Sequence, residues 1–166
     1  MESAFLLLGT NLGDRLQNLE FARQKLRALG ILSGASRVYE TEPWGISEQP
    51  SFYNQAVRLE TGLSPDSLLK ELKNIEAVCG RTETTRWGPR ILDIDILLFG
   101  QLIHRSESLN IPHPKLGERR FALAPLNEIA PDVTEPVSGK MIRDLLKICT
   151  DNLEVYPIRQ TTPPES

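Results

Sequence analysis

The sequence predicts an α+β fold: a ferredoxin-like sandwich, with helices packed on a mainly antiparallel sheet. Three observations carry this reading. Apolar runs of strand length alternate with stretches of helical spacing in the order strand–helix–strand–strand–helix–strand. The 166 residues suit one domain large enough to bury a real core. No internal repeat or clear linker breaks the pattern. We expect a single domain over residues 1–160 and a disordered tail, "TTPPES", at 161–166.

Residues 3–9, "SAFLLLG", read as a short buried strand, and "TNLGD" turns the chain. Leu16, Leu19, Ala22, Leu26 and Leu29 recur at spacings of three and four, which predicts an amphipathic helix over 14–29 stopped by Gly30. Residues 31–41 and "FYNQAVRLET" (52–61) read as strands. The intervening "EPWGISEQPS" is a loop of the length that compact domains reserve for function. "LSPDSLLKELKNIEAVCG" is a helix: Ser64 caps it, Pro65 suits its first turn, Asp66 its positive end, and Gly80 ends it. Leu68, Leu72, Ile75 and Cys79 make its apolar stripe. After the polar loop "RTETTRWGPR" comes a strand over 91–99, then short helices near 120–129 and 139–148 and a last strand near 153–158.

Composition narrows the function classes. A net charge of -3 argues against a nucleic-acid binder. Two isolated cysteines form neither a disulfide framework nor a zinc motif. The N-terminal apolar run is too short for a signal peptide or a membrane span, so a cytoplasmic protein without membrane partners is expected. From this length no fused second enzyme is expected, and a monomer is the simpler expectation.

The chemistry concentrates in "RWGPRILDIDILLFG", residues 86–100. Asp93 and Asp95 alternate with Leu92, Ile94 and Ile96, so the carboxylates share one strand face, about 6.5–7 Å apart, and the apolar residues share the other. Two carboxylates so placed repel unless something positive lies between them. A divalent cation would serve, and so would an arginine ion-pair network or a solvated face. Magnesium suits carboxylates combined with substrate phosphates. Arg81, Arg86, Arg90, Arg119 and Arg120 add groups suited to gripping phosphate in two-point contacts. Carboxylates with clustered arginines are what transfer from a nucleoside triphosphate requires. There is no GxxxxGK[ST] loop, so nucleotide use here would not be of the P-loop kind.

These residues resemble a known family. "RWGPRILDIDIL" is similar to the signature of the 6-hydroxymethyl-7,8-dihydropterin pyrophosphokinases of folate biosynthesis. The resemblance continues through "LLLGTNLGD", "YETEPWG", "FYNQAV", "IEAVCGR", "IPHP" and "RRFALAPLNEIAP", over roughly 4–148. It implies a ferredoxin-like fold and transfer of pyrophosphate from ATP to the pterin's hydroxymethyl group, leaving AMP. It implies two Mg²⁺ ions held by Asp93 and Asp95, with Arg81 and Arg90 neutralising the transferring group. It places Glu76, Arg86, Ile96, Leu109, His113 and Arg119 at ATP. Phe52 and Phe121 would stack the pterin, Asn54 would read its edge, and Thr41, Pro43, Trp44 and Trp87 would complete the pocket. The loops 42–51 and 81–90 would close over ATP. The loop between Arg81 and Arg86, where many relatives carry a further arginine, reads "TETT" here, with Glu83 adding negative charge; His113-Pro114 replaces a histidine–tyrosine pair seen in some members, and Lys73 stands where some members have glutamine. An RNA-binding module would need exposed sheet aromatics and a basic surface. A two-metal phosphohydrolase would share the aspartates and arginines without needing the aromatic–Asn pocket.

Overall fold

The computed structural model describes residues 1–41, 50–80 and 91–159. Strands are β1 (Glu2–Thr10), β2 (Ile31–Ala35), β3 (Tyr39–Thr41), β4 (Phe52–Thr61), β5 (Asp93–Phe99), β6 (His104–Arg105), β7 (Asn110–Ile111) and β8 (Val155–Pro157). Helices are α1 (Arg15–Leu26), α2 (Pro65–Val78), α3 (Arg120–Ile129) and α4 (Ile142–Ile148). One sheet runs β5-β1-β4-β3-β8, with β2 also on β4, and every pairing is antiparallel. This is the α+β sandwich that the element order predicts.

The local chemistry explains the helix ends. Asp14 accepts from the Gln17 N–H at 3.1 Å and Ser64 from the Ser67 N–H at 3.2 Å, so each helix begins on a side-chain cap. Gly80 ends the second helix region with φ +91, a conformation that suits glycine. Gly30 plays a different part from the expected helix stop. The helix ends at Leu26, and a Cβ on Gly30 would lie 2.1 Å from the Glu60 carbonyl oxygen, so glycine is needed for backbone contact with β4. Leu16, assigned to the apolar stripe of α1, is 44% exposed because the helix rolls to bury Leu19, Ala22 and Leu26.

The strand expected over 31–41 is two strands. Both lie along β4, β2 beside its second half and β3 beside its first. Ser36 marks the break: its N–H donates to the Ala56 carbonyl and its hydroxyl accepts from the Ala56 N–H. The β6–β7 ribbon was not foreseen, since two-residue strands leave no periodicity to read.

Both sheet faces are covered. Ala4, Leu6 and Leu8 of β1 join Val57, Leu59, Ile94 and Ile96 under α1 and α2. Phe5 and Leu7 join Ala56, Leu97 and Leu98 under α3 and α4. A bulge in β5 explains why the consecutive Leu97 and Leu98 share one core: the pairing with β1 shifts between Phe5 and Leu6.

Candidate active site on the edge strand

Asp93 and Asp95 begin β5, the edge strand. Asp95 lies opposite Leu7 and Asp93 opposite Gly9, so both carboxylates point to the α3–α4 face. A second core covers that face, and the aspartates stand where it stops. Across the sheet, one row runs Asp93, Gly9, Asn54, Tyr39. The neighbouring pair, Phe52 opposite Thr41, extends the same face.

The electrostatics are those of a crowded acidic site. Burial and the neighbouring Asp93 carboxylate push Asp95 up to about 7, and Glu76 adds to the repulsion, while Arg119 and Lys73 oppose it. His113 is held down at about 4 by burial and by the Arg119 charge, so its ring is neutral at pH 7. Its Nδ1 accepts from the Lys115 N–H at 3.1 Å, which leaves the proton on Nε2 as a donor. The Arg119 guanidinium lies 5.5 Å from the Phe121 ring centroid.

Glu76 reaches this edge from α2, on the opposite sheet face. It is buried, 2% exposed, and accepts from the Ile94 N–H at 2.8 Å, between the two aspartates. Lys73 approaches it at 3.6 Å. Asn54 is buried, and its Nδ2 donates to the Thr41 hydroxyl at 3.4 Å. Phe52 and Phe121 are half-buried.

The fold thus gathers Asp93, Asp95, Glu76, His113 and Arg119 into one electrostatic group and sets Asn54, Thr41 and Phe52 beside it. Ile96 and Leu109 fall elsewhere: both side chains are buried in the core under α1 and α2. What Ile96 offers a ligand is its backbone, on the same outer edge as the Ile94 N–H. Pro43, Trp44, Arg81, Arg86, Trp87 and Arg90 lie outside the described residues, as do most of the 42–51 loop, all of 81–90 and the tail 161–166. Among the described residues no group of three or more His, Cys, Asp or Glu side chains is arranged to hold a metal. A carboxylate pair still fits Mg²⁺, which takes one or two protein carboxylates and completes its shell with phosphate and water oxygens.

Two residues of the site were not singled out from sequence. Asn18 donates through Nδ2 to the Thr10 hydroxyl, the Leu12 carbonyl and the Ile91 carbonyl at 3.1, 2.8 and 3.2 Å, tying α1 to the chain entering β5. Gly9 sits between Asn54 and Asp93. Its signal was visible, a glycine closing an apolar run, but its row partners were not.

Comparison with known proteins agrees with this architecture. The family described as 7,8-dihydro-6-hydroxymethylpterin-pyrophosphokinase (HPPK) matches residues 5–131. The folic acid synthesis protein fol1 of Pneumocystis carinii is 39% identical over 158 residues, 95% of this chain and 21% of that protein. The chain therefore spans about a fifth of the length of that relative, and likewise 20% of the folic acid synthesis protein of Dictyostelium discoideum. The 2-amino-4-hydroxy-6-hydroxymethyldihydropteridine pyrophosphokinase of Aquifex aeolicus is 39% identical over 144 residues, 87% of this chain and 90% of the relative. The Plasmodium falciparum HPPK-DHPS crystallised with SDX-DHP superposes with a TM-score of 0.68 at 21% identity, over 89% of this chain and 43% of that one. The family match, and a relative covered over most of its length, establish that the chain belongs to the 7,8-dihydro-6-hydroxymethylpterin-pyrophosphokinase family.

Proposed function

We propose that the chain transfers the β- and γ-phosphates of ATP, as pyrophosphate, to the hydroxymethyl group of 6-hydroxymethyl-7,8-dihydropterin, releasing AMP. The observation that carries this is the row Asp93–Gly9–Asn54. The row supports the reading because it lines up a carboxylate suited to a cation with an amide suited to the edge of a heterocycle on one face of the sheet.

In this reading Asp93 and Asp95 hold Mg²⁺. Bound there, the cation would supply positive charge against the phosphates. Glu76 fixes the β5 backbone between the carboxylates. Arg119 adds positive charge beside Asp95, and neutral His113 offers its Nε2 proton to a phosphate oxygen. Arg81, Arg86 and Arg90 supply further phosphate contacts, and the Ile96 backbone borders the adenine. Asn54 both donates and accepts at the pterin edge. Phe52 and Phe121 flank the ring, and Thr41, Pro43, Trp44 and Trp87 close the pocket. No general base is required, because a loose transition state depends on positioning and charge neutralisation. A monomeric cytoplasmic enzyme acting on small molecules completes the proposal. The thiols of Cys79 and Cys149 are free, and no helix among the described residues is long and apolar enough to cross a membrane.

The test is to incubate the protein with ATP, Mg²⁺ and 6-hydroxymethyl-7,8-dihydropterin and follow AMP, leaving out pterin and Mg²⁺ in turn. AMP that needs all three is the expected result. ADP, or phosphate released without pterin, would move the reading to a kinase or a hydrolase.

A further inference from the structure

We infer that Gly9 is a specificity-determining position: its missing side chain is the floor over which the acceptor reaches from Asn54 to the Asp93–Asp95 pair. The inference rests on the function proposed above and adds a residue that the pterin and phosphate contacts do not include.

The glycine is not there for its backbone. Gly9 lies inside β1, paired on both sides, and it is not among the glycines of positive φ. Glycine inside a strand weakens it relative to alanine, so its presence asks for another reason. The pairing at Gly9 is regular, without a bulge or bend, which leaves close approach of another group, a ligand among them. The residue two before it on the same face, Leu7, is buried in the core under α3 and α4 between Ala56 and Asp95. One step along the same face the side chain vanishes, at the point where that core ends.

The space it leaves has a definite neighbour. A Cβ on Gly9 would lie 2.9 Å from Asn54 Oδ1, and it would meet no other described atom within 4 Å. Asn54 is 4% exposed and its amide is engaged with Thr41, so it has little freedom to turn aside. An added methyl therefore twists the amide that reads the heterocycle and raises the floor beneath it. It does not touch the carboxylates. Neighbouring strands are about 4.7–4.9 Å apart, which puts the Asn54 and Asp93 backbones about 10 Å from each other. An acceptor spanning that interval, ring at one end and reacting hydroxyl at the other, must pass over Gly9.

The experiment compares the unsubstituted protein with Gly9→Ala. AMP formation is measured against pterin concentration, and affinity for α,β-methylene-ATP with Mg²⁺ is measured by calorimetry. We expect the KM for pterin to rise about tenfold while nucleotide affinity stays within about twofold. A pterin KM that does not move, or a parallel loss of pterin and nucleotide binding, overturns the inference. Absence of pterin-dependent AMP from the unsubstituted protein would instead defeat the proposed function. Should Gly9→Ala not fold, the Gly9 amide resonance in ¹⁵N-labelled unsubstituted protein decides. It shifts when pterin is added to the Mg²⁺–nucleotide complex, and a stationary signal overturns the inference.

Discussion

Asp95 shows what a carboxylate pair in a strand costs. Its folded-state value of about 7 lies above the usual 3.8, so the folded protein prefers the protonated form. The contribution of Asp95 to stability is therefore fully present below pH about 4 and is lost as pH rises through about 7. Asp95→Asn removes the repelling charge. The variant should melt higher than the unsubstituted protein at pH 8 without Mg²⁺, and it should form no AMP. A lower melting temperature, or retained activity, would contradict this account. Asp93→Ala should also abolish turnover while circular dichroism keeps the native spectrum. The shared face of the two aspartates was legible in sequence, because period-two alternation is a local property. The company of Glu76 was not, because that residue comes from a helix on the other side of the sheet.

At the scale of elements, a buried hydrogen bond joins α2 and β5. Glu76→Ala leaves the Ile94 N–H without its carboxylate partner, a loss of about 1–3 kcal/mol. Chemical denaturation should report that loss. The apparent Mg²⁺ requirement should rise as well, since the bond lies between the two aspartates. A loss of stability with an unchanged Mg²⁺ profile would make Glu76 merely structural.

A second junction ties β3 to α3. Glu128 accepts from the Tyr39 hydroxyl at 2.6 Å and from the Arg37 N–H and guanidinium at 2.9 and 3.0 Å. Burial alone would raise Glu128, but those donors outweigh it and hold the carboxyl below its ordinary value. A depressed acid stabilises above its unfolded value and loses that contribution as pH falls through the folded one. Tyr39, pushed up to about 12 by burial and by Glu128, loses its own contribution only above pH 10. Glu128→Gln should therefore lower the melting temperature at pH 7 and flatten its decline below pH 5. Melting curves that stay parallel down to pH 3 would rule this out. None of this junction shows in sequence, where Arg37 and Glu128 are 91 positions apart.

The whole molecule is held by strands that serve two cores at once, and β1 shows it best. Leu6 is buried under α1 and α2, its neighbour Leu7 under α3 and α4, and each lies within a few per cent of full burial. Leu6→Ala and Leu7→Ala should each cost about 2–5 kcal/mol. Because the strand is shared, both variants should still unfold in a single transition followed by far-UV circular dichroism. Two transitions in either variant would mean that the layers unfold separately.

The sequence by itself determined the main strands and helices and their order, the Ser64 cap of α2, the common face of Asp93 and Asp95, and the family. These rest on local periodicity, on capping chemistry and on short motifs, all written in neighbouring residues. The tertiary structure decided the rest. It split the strand at Ser36, gave Gly30 and Gly9 their purposes, buried Glu76 against Ile94, clasped β5 through Asn18, and covered the second face with α3 and α4. Each of these depends on which backbone or side chain arrives from far along the chain. Contacts of that kind are made by packing and strand pairing, and no local pattern records them.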